Sequence, residues 1–252
     1  MCGYLVWMYL DWGTPENGSR WWSWCHPHGI LSISAFLNFA TNGTGFAEKF
    51  PGLQTHLVTL ASQFYVPFRR ETMTLSGIIT SSVKSISNVL KRPGGGQVAC
   101  IVIGGAEEAL DAHSDSFNLC LRSRKGFVRV ALQQGASLVP VYSFGENACF
   151  QQVSNERGTR LRNIQSRLKK IFGVSPPLFH GRGLLNKYFG LLPYRQPIAT
   201  IVGSPIHLER TPEPTPERID EVHAEYVKKL TDLFEEHKEQ YGVAADCHLV
   251  MC

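Results

Sequence analysis

The stretch from residue 98 to residue 144 constrains this chain more than any other. VACIVIGG (98–105) is a short β-branched run that ends in two glycines, and ASLVPVYSF (136–144) is a second extended run. Between them lies GFVRVALQQG (126–135), with Phe127, Val130 and Ala131 on one helical face and Gly135 where a helix would stop. Extended runs joined through a helix share a sheet most simply as parallel strands, with the helix crossing over one face. IATIVGSP (198–205) is a third run of the same kind. The expected architecture is α/β, a mostly parallel sheet flanked by helices, and 252 residues are enough to bury its core as one domain.

Two helices outside that block are predicted from periodicity. Ile219, Val222, Tyr226, Leu230, Leu233, Phe234 and Tyr241 share one face of a long C-terminal amphipathic helix, with Thr215 as N-cap, Pro216 in the first turn and Gly242 as the stop. RTPEPTPE (210–217) leads into it as a linker. RGTRLRNIQSRLKKIFGV (157–174) sets Leu161, Ile164, Leu168, Ile171 and Phe172 against Arg157, Arg160, Arg162, Arg167, Lys169 and Lys170. That pattern suits an anchor on an anionic membrane surface as well as a surface helix packed on the core.

No window reaches the length of apolar chain that a membrane span requires; YLVWMYL (4–10) runs straight into Asp11. All five tryptophans, Trp7, Trp12, Trp21, Trp22 and Trp24, fall in the first twenty-five residues, which fits a membrane interface or a packed core equally well. The tripeptides at Asn17 and Asn42 match a glycosylation acceptor but recur easily by chance. A formal charge of +4 is too mild to argue for nucleic acid, yet suits anionic ligands or lipid headgroups. Seven cysteines form no CxxC pair and read as reduced thiols, neither a disulfide framework nor a zinc ribbon.

HPHG (26–29) is the first candidate for chemistry. An extended backbone would put His26 and His28 on the same face, the geometry of a two-histidine metal site, but His56, His113 and His180 occur singly with no ligand spacing. No metal is expected; a structural histidine and a proton acceptor remain as readings. IVIGGAEEAL (101–110) adds Glu107 and Glu108 at the carboxyl edge of the sheet, where α/β sites form. Arg122, Arg124, Lys125 and Arg129 surround Gly126 at a helix start, a pattern that attracts anions.

HPHG, GGAEEAL, RKGFVRVALQQGASLVPVYSFGEN, FHGRGL and GLLPYRQPIATIVGSPI occur in an order and spacing that resembles the type 2 diacylglycerol acyltransferase family, which includes the monoacylglycerol and wax-alcohol acyltransferases. The resemblance runs from His26 to the end, and the opening YLVWMYLDWGTPENGSR is similar to the segment that follows the family's membrane hairpin. Only RWWSWC separates Ser19 from His26, so the chain is expected to be a truncated and internally shortened member. It divides into a remnant of the membrane-proximal segment (1–25) and an acyltransferase domain (26–252), with a poorly formed strand ahead of HPHG and weak turnover.

The resemblance implies a glycerolipid-acyltransferase-like fold and acyl transfer from acyl-CoA, as co-substrate rather than cofactor, to the hydroxyl of a diacylglycerol, monoacylglycerol or long-chain alcohol. It implies His28 as the base, His26 as second choice, Glu108 as the carboxylate partner with Glu107 behind it, and Arg124, Lys125 and Gly126 against the CoA phosphates. Related glycerolipid acyltransferases pair the histidine with an aspartate in H-x-x-x-x-D; here that position holds Ile33. The implied setting is the cytosolic face of the endoplasmic reticulum membrane or a lipid droplet, with a homo-oligomer possible and no nucleic-acid partner. A catalytically inactive relative and a metal-dependent hydrolase are the alternatives.

Overall fold

The computed structural model describes residues 6–10, 20–156, 158–172, 177–184, 186 and 188–252. Trp12, the tripeptide at Asn17, Arg157, Gly173 and Val174 lie outside them, as do the side chains of Trp7, Lys169, Lys170, Ile171 and Phe172. In chain order the elements are β1 (Val6–Leu10), β2 (Trp21–His26), α1 (Ile33–Phe39), α2 (Phe46–Lys49), β3 (Gln54–Thr59), α3 (Arg69–Leu75), β4 (Ile79–Thr80), α4 (Val83–Leu90) and β5 (Gln97–Val102). There follow α5 (Gly105–Leu110), β6 (Asn118–Leu119), α6 (Gly126–Gln134), β7 (Ser137–Phe144), β8 (Gln151–Gln152), α7 (Arg160–Phe172), β9 (Phe179–His180), β10 (Ile198–Val202), α8 (Pro216–His237) and β11 (Val250–Met251).

Seven strands form the main sheet in the order β1-β10-β7-β2-β5-β3-β4. β7, β2, β5, β3 and β4 run parallel, while β10 pairs antiparallel with β7 and carries β1 with it. The expected mostly parallel sheet is therefore present. α6 spans the expected residues and α8 begins at Pro216 with the Thr215 hydroxyl accepting from Arg218 N at 3.3 Å.

β2 corrects the expectation of a poorly formed strand before HPHG. It pairs with β7 on one side and β5 on the other, at the centre of the sheet, and all six of its residues are buried. The boundary drawn after residue 25 falls inside it. The physical reason is that a central parallel strand is covered on both faces and so reads as a nearly continuous apolar run, which WWSWC is apart from Ser23. Trp22 and Trp24 point to the face covered by α4, α6 and α8, whereas Trp21 and Cys25 point to the opposite face with Phe39, Phe46 and Phe50. These three tryptophans are core residues and not a membrane belt.

Candidate active site

Because β2, β3, β5 and β7 are parallel, the segments that leave their C-terminal ends gather at one edge. HPHG leaves β2, GGAEEAL leaves β5 and the FGEN segment (144–147) leaves β7. This brings the first two motifs together as expected and adds a third.

The two histidines separate there. His26 closes β2 inside the core, with Nε2 3.2 Å from the Tyr226 hydroxyl of α8, and burial pulls its pKa down to about 3. They do not form a shared site, because His26 belongs to β2 and faces Tyr226 whereas His28 lies in the loop beyond the strand. His28 is half-buried in the loop. Its Nδ1 lies 2.8 Å from the Gly29 carbonyl, so the neutral ring carries its proton on Nδ1 and keeps the Nε2 lone pair. Burial lowers its pKa and so favours the neutral ring, and the Gly29 carbonyl opposes that shift.

Glu108 meets His28, but through the main chain. Its Oε1 accepts from the His28 backbone N at 2.6 Å and its Oε2 from Cys120 N at 3.0 Å. The expected imidazole–carboxylate pair is thus replaced by a carboxylate that holds the loop. Burial pushes the Glu108 pKa up to about 7, opposed by the two amides and by the charge of Arg124. Gly104 makes room for it: a Cβ there would collide with the Glu108 carboxylate. Glu107 pairs with Arg162 of α7 at 3.3 Å.

Of the residues expected at the CoA phosphates, Arg124 is exposed and close enough to influence Glu108, and Gly126 opens α6. Lys125 is instead held by Asp220 of α8 at 2.7 Å. The three single histidines each have a hydrogen bond of their own: His56 with Gln97, His113 with Asn155 and His180 with Tyr194. Among the described residues no group of three or more His, Cys, Asp or Glu side chains is arranged to hold a metal ion.

Sequence reasoning missed two residues. Glu146, directly after the β7 run, is buried with Oε1 2.8 Å from Ile33 N and Oε2 2.7 Å from Ser34 N. Its signal was legible, a carboxylate following a strand and glycine as Glu108 does. Arg162 was placed on the polar face of a basic helix, yet it is buried between Asp111 at 2.7 Å and Glu107.

The profile of the diacylglycerol acyltransferase family matches residues 22–252, which takes in β2 from its second residue and every segment at this edge. The chain belongs to that family. It is 46% identical to 2-acylglycerol O-acyltransferase 1 of Bos taurus over 273 aligned positions, covering 95% of this chain and 82% of the relative. Diacylglycerol O-acyltransferase 2 of Dictyostelium discoideum is 50% identical over 213 positions, covering 84% of this chain and 64% of the relative. The solved 1-acyl-sn-glycerophosphate acyltransferase PlsC of Thermotoga maritima overlaps 92% of this chain and 73% of its own, with a TM-score of 0.49 and 10% identity.

Proposed function

We propose that this chain transfers an acyl group from acyl-CoA to the hydroxyl of an acylglycerol, with His28 as general base. The observation that carries the reading is the half-buried imidazole at the carboxyl edge, its Nδ1 bonded to Gly29 O and its Nε2 left to take a proton. A thioester carbonyl is already reactive, so the missing component is a deprotonated alcohol. Nε2 accepts the hydroxyl proton as the oxygen attacks the carbonyl carbon, and the resulting imidazolium returns it to the departing CoA thiolate. Glu108 acts on the loop by holding the His28 main chain. Arg124, beside Glu108 and exposed, together with the start of α6, offers the phosphates of CoA a cation at the right edge. A hydrolase built on two metal-bound histidines would require His26, which is enclosed against Tyr226.

The acceptor reaches this edge from a lipid surface on the cytosolic face of the endoplasmic reticulum. No helix of the described residues is long and apolar enough to cross a membrane. Instead, Tyr65, Phe68 and Leu75 stand exposed after β3, and Tyr188, Phe189 and Leu191 stand exposed in the segment whose Phe179 packs on Phe150 after β7. Both groups follow strands that end at the His28 edge, where aromatic and aliphatic side chains suit a bilayer interface.

The test is His28→Ala in the full chain, assayed in membranes with labelled acyl-CoA and either a 2-monoacylglycerol or a diacylglycerol. We expect turnover to fall by about a hundredfold or more. Wild-type rates from the variant would overturn the base assignment.

A further inference from the structure

The loop that carries His28 is fastened at both ends by carboxylates from the segments that follow β5 and β7. Glu108 holds its beginning through His28 N, and Glu146 holds its end through Ile33 N and Ser34 N, the first amides of α1. Between these, the Ser32 hydroxyl donates to the His28 carbonyl at 2.9 Å.

Glu146 also touches the middle of the loop. Gly29 has φ +58°, and a Cβ at that position would lie 2.6 Å from Glu146 Oε1 and 2.7 Å from its Cγ. The carboxylate therefore lies directly behind Gly29, whose carbonyl receives the His28 Nδ1 proton. The glycine of HPHG and the glutamate of FGEN are complementary parts: one gives up its side chain so that the other can fill the space.

We propose that Glu146 is a positioning residue for His28, fixing the Gly29 carbonyl so that the imidazole keeps its proton on Nδ1 and aims Nε2 at the acceptor hydroxyl. The proposal rests on the reading of His28 as base, and Glu146 itself touches no substrate. Ile33 occupies the position at which related enzymes carry an aspartate, and here a carboxylate from the segment after β7 arrives at the main chain of that same residue. Burial raises the pKa of Glu146, and the Ser34 and Ile33 donors oppose the rise, as expected for a carboxylate placed for its acceptor geometry rather than for solvation.

The test compares Glu146→Gln and Glu146→Ala in the full chain. Gln is isosteric but turns an NH2 toward one of the two amides, whereas Ala removes both acceptors. Loosening the base by about 1 Å should lower kcat roughly tenfold in the Gln variant and roughly a hundredfold in the Ala variant, with KM for acyl-CoA unchanged within about threefold. A merely structural role would not move a second readout, the His28 tautomer, measured by nitrogen NMR on histidine-labelled protein and assigned by the signal lost in His28→Ala. The wild type should show a single Nδ1-protonated ring, and both variants a mixture. A folded Gln variant with wild-type kcat, or an unchanged tautomer in either variant, would overturn the proposal. Should Glu146→Ala fail to fold, Glu146→Gln decides alone. Full activity in His28→Ala would instead sink the base reading, and the tautomer shift would then judge the positioning role separately.

Discussion

α7 and α8 are both amphipathic in sequence, yet they bury different kinds of side chain. α8 buries its apolar stripe: Ile219, Val222, Tyr226, Leu230, Leu233 and Phe234 all join the main core. α7 buries Arg162 and Gln165 and leaves Ile164 55% exposed. The difference lies in what each helix meets. α8 lies over Trp24, Phe127 and Tyr142, an apolar floor, whereas α7 lies on α5, which offers Glu107, Asp111 and the Leu110 carbonyl. Periodicity says that a segment is a helix with two faces, and the surface beneath decides which face goes down.

The sharpest way to break this comparison is at its apolar end. Phe234 is fully buried against Phe117, Tyr142 and Phe144. Phe234→Ala should cost about 4 kcal/mol by leaving a cavity the sheet cannot close. Denaturant unfolding measures it, and a cost below about 1 kcal/mol would mean that α8 is not packed as described.

Arg162→Ala tests the polar end. It leaves Asp111 and Glu107 without their buried guanidinium and removes the hydrogen bond to Leu110 O at 3.0 Å. The loss should be about 3 kcal/mol, somewhat less than for Phe234 because Glu107 keeps part of its solvation. Since α5 also carries Glu108, turnover should fall with it. If Arg162→Ala unfolds at the wild-type denaturant concentration, α7 is held by its apolar side chains after all.

These two helices also mark how far the sequence could be read. β5, α6, β7 and α8 were legible because each buries a continuous or periodic apolar face, so local pattern and tertiary contact agree. HPHG and GGAEEAL were legible as neighbours because parallel strands end at a common edge. β2 was misjudged because its short run, interrupted by Ser23, was measured against the longer segment of the family it resembles, and its pairing with β5 and β7 is visible only in the fold. Arg162 was misjudged because a buried cation is visible only beside its carboxylates, fifty residues away in sequence. Glu108 was assigned to the imidazole of His28 and belongs to its backbone, a distinction that depends on where a loop turns and that no spacing encodes.

The smallest expected effect sharpens the comparison by charge, because each half of the molecule buries a group whose pKa is far from its usual value. On the α8 side is His26, whose pKa falls from the usual histidine value to about 3. Between those values the unfolded chain holds the extra proton, so His26 makes stability rise with pH up to about 6.5. On the α5 side is Glu108, whose pKa rises from the usual carboxylate value to about 7. Here the folded chain holds the extra proton, so this stabilisation is complete below about 4.5 and is lost as pH climbs through about 7. His28 and His223 act in the first direction and Glu146 in the second. The opposing slopes should leave the wild type with a shallow dependence of unfolding free energy between about pH 5 and pH 7, changing by less than about 1 kcal/mol. Glu108→Gln, which cannot ionise, should tilt the profile so that stability rises with pH across that window. His26→Gln should tilt it the other way. Urea titrations at half-unit pH steps resolve such tilts, and two variants whose profiles remain parallel to the wild type would show that these groups titrate in the folded protein as they do in water.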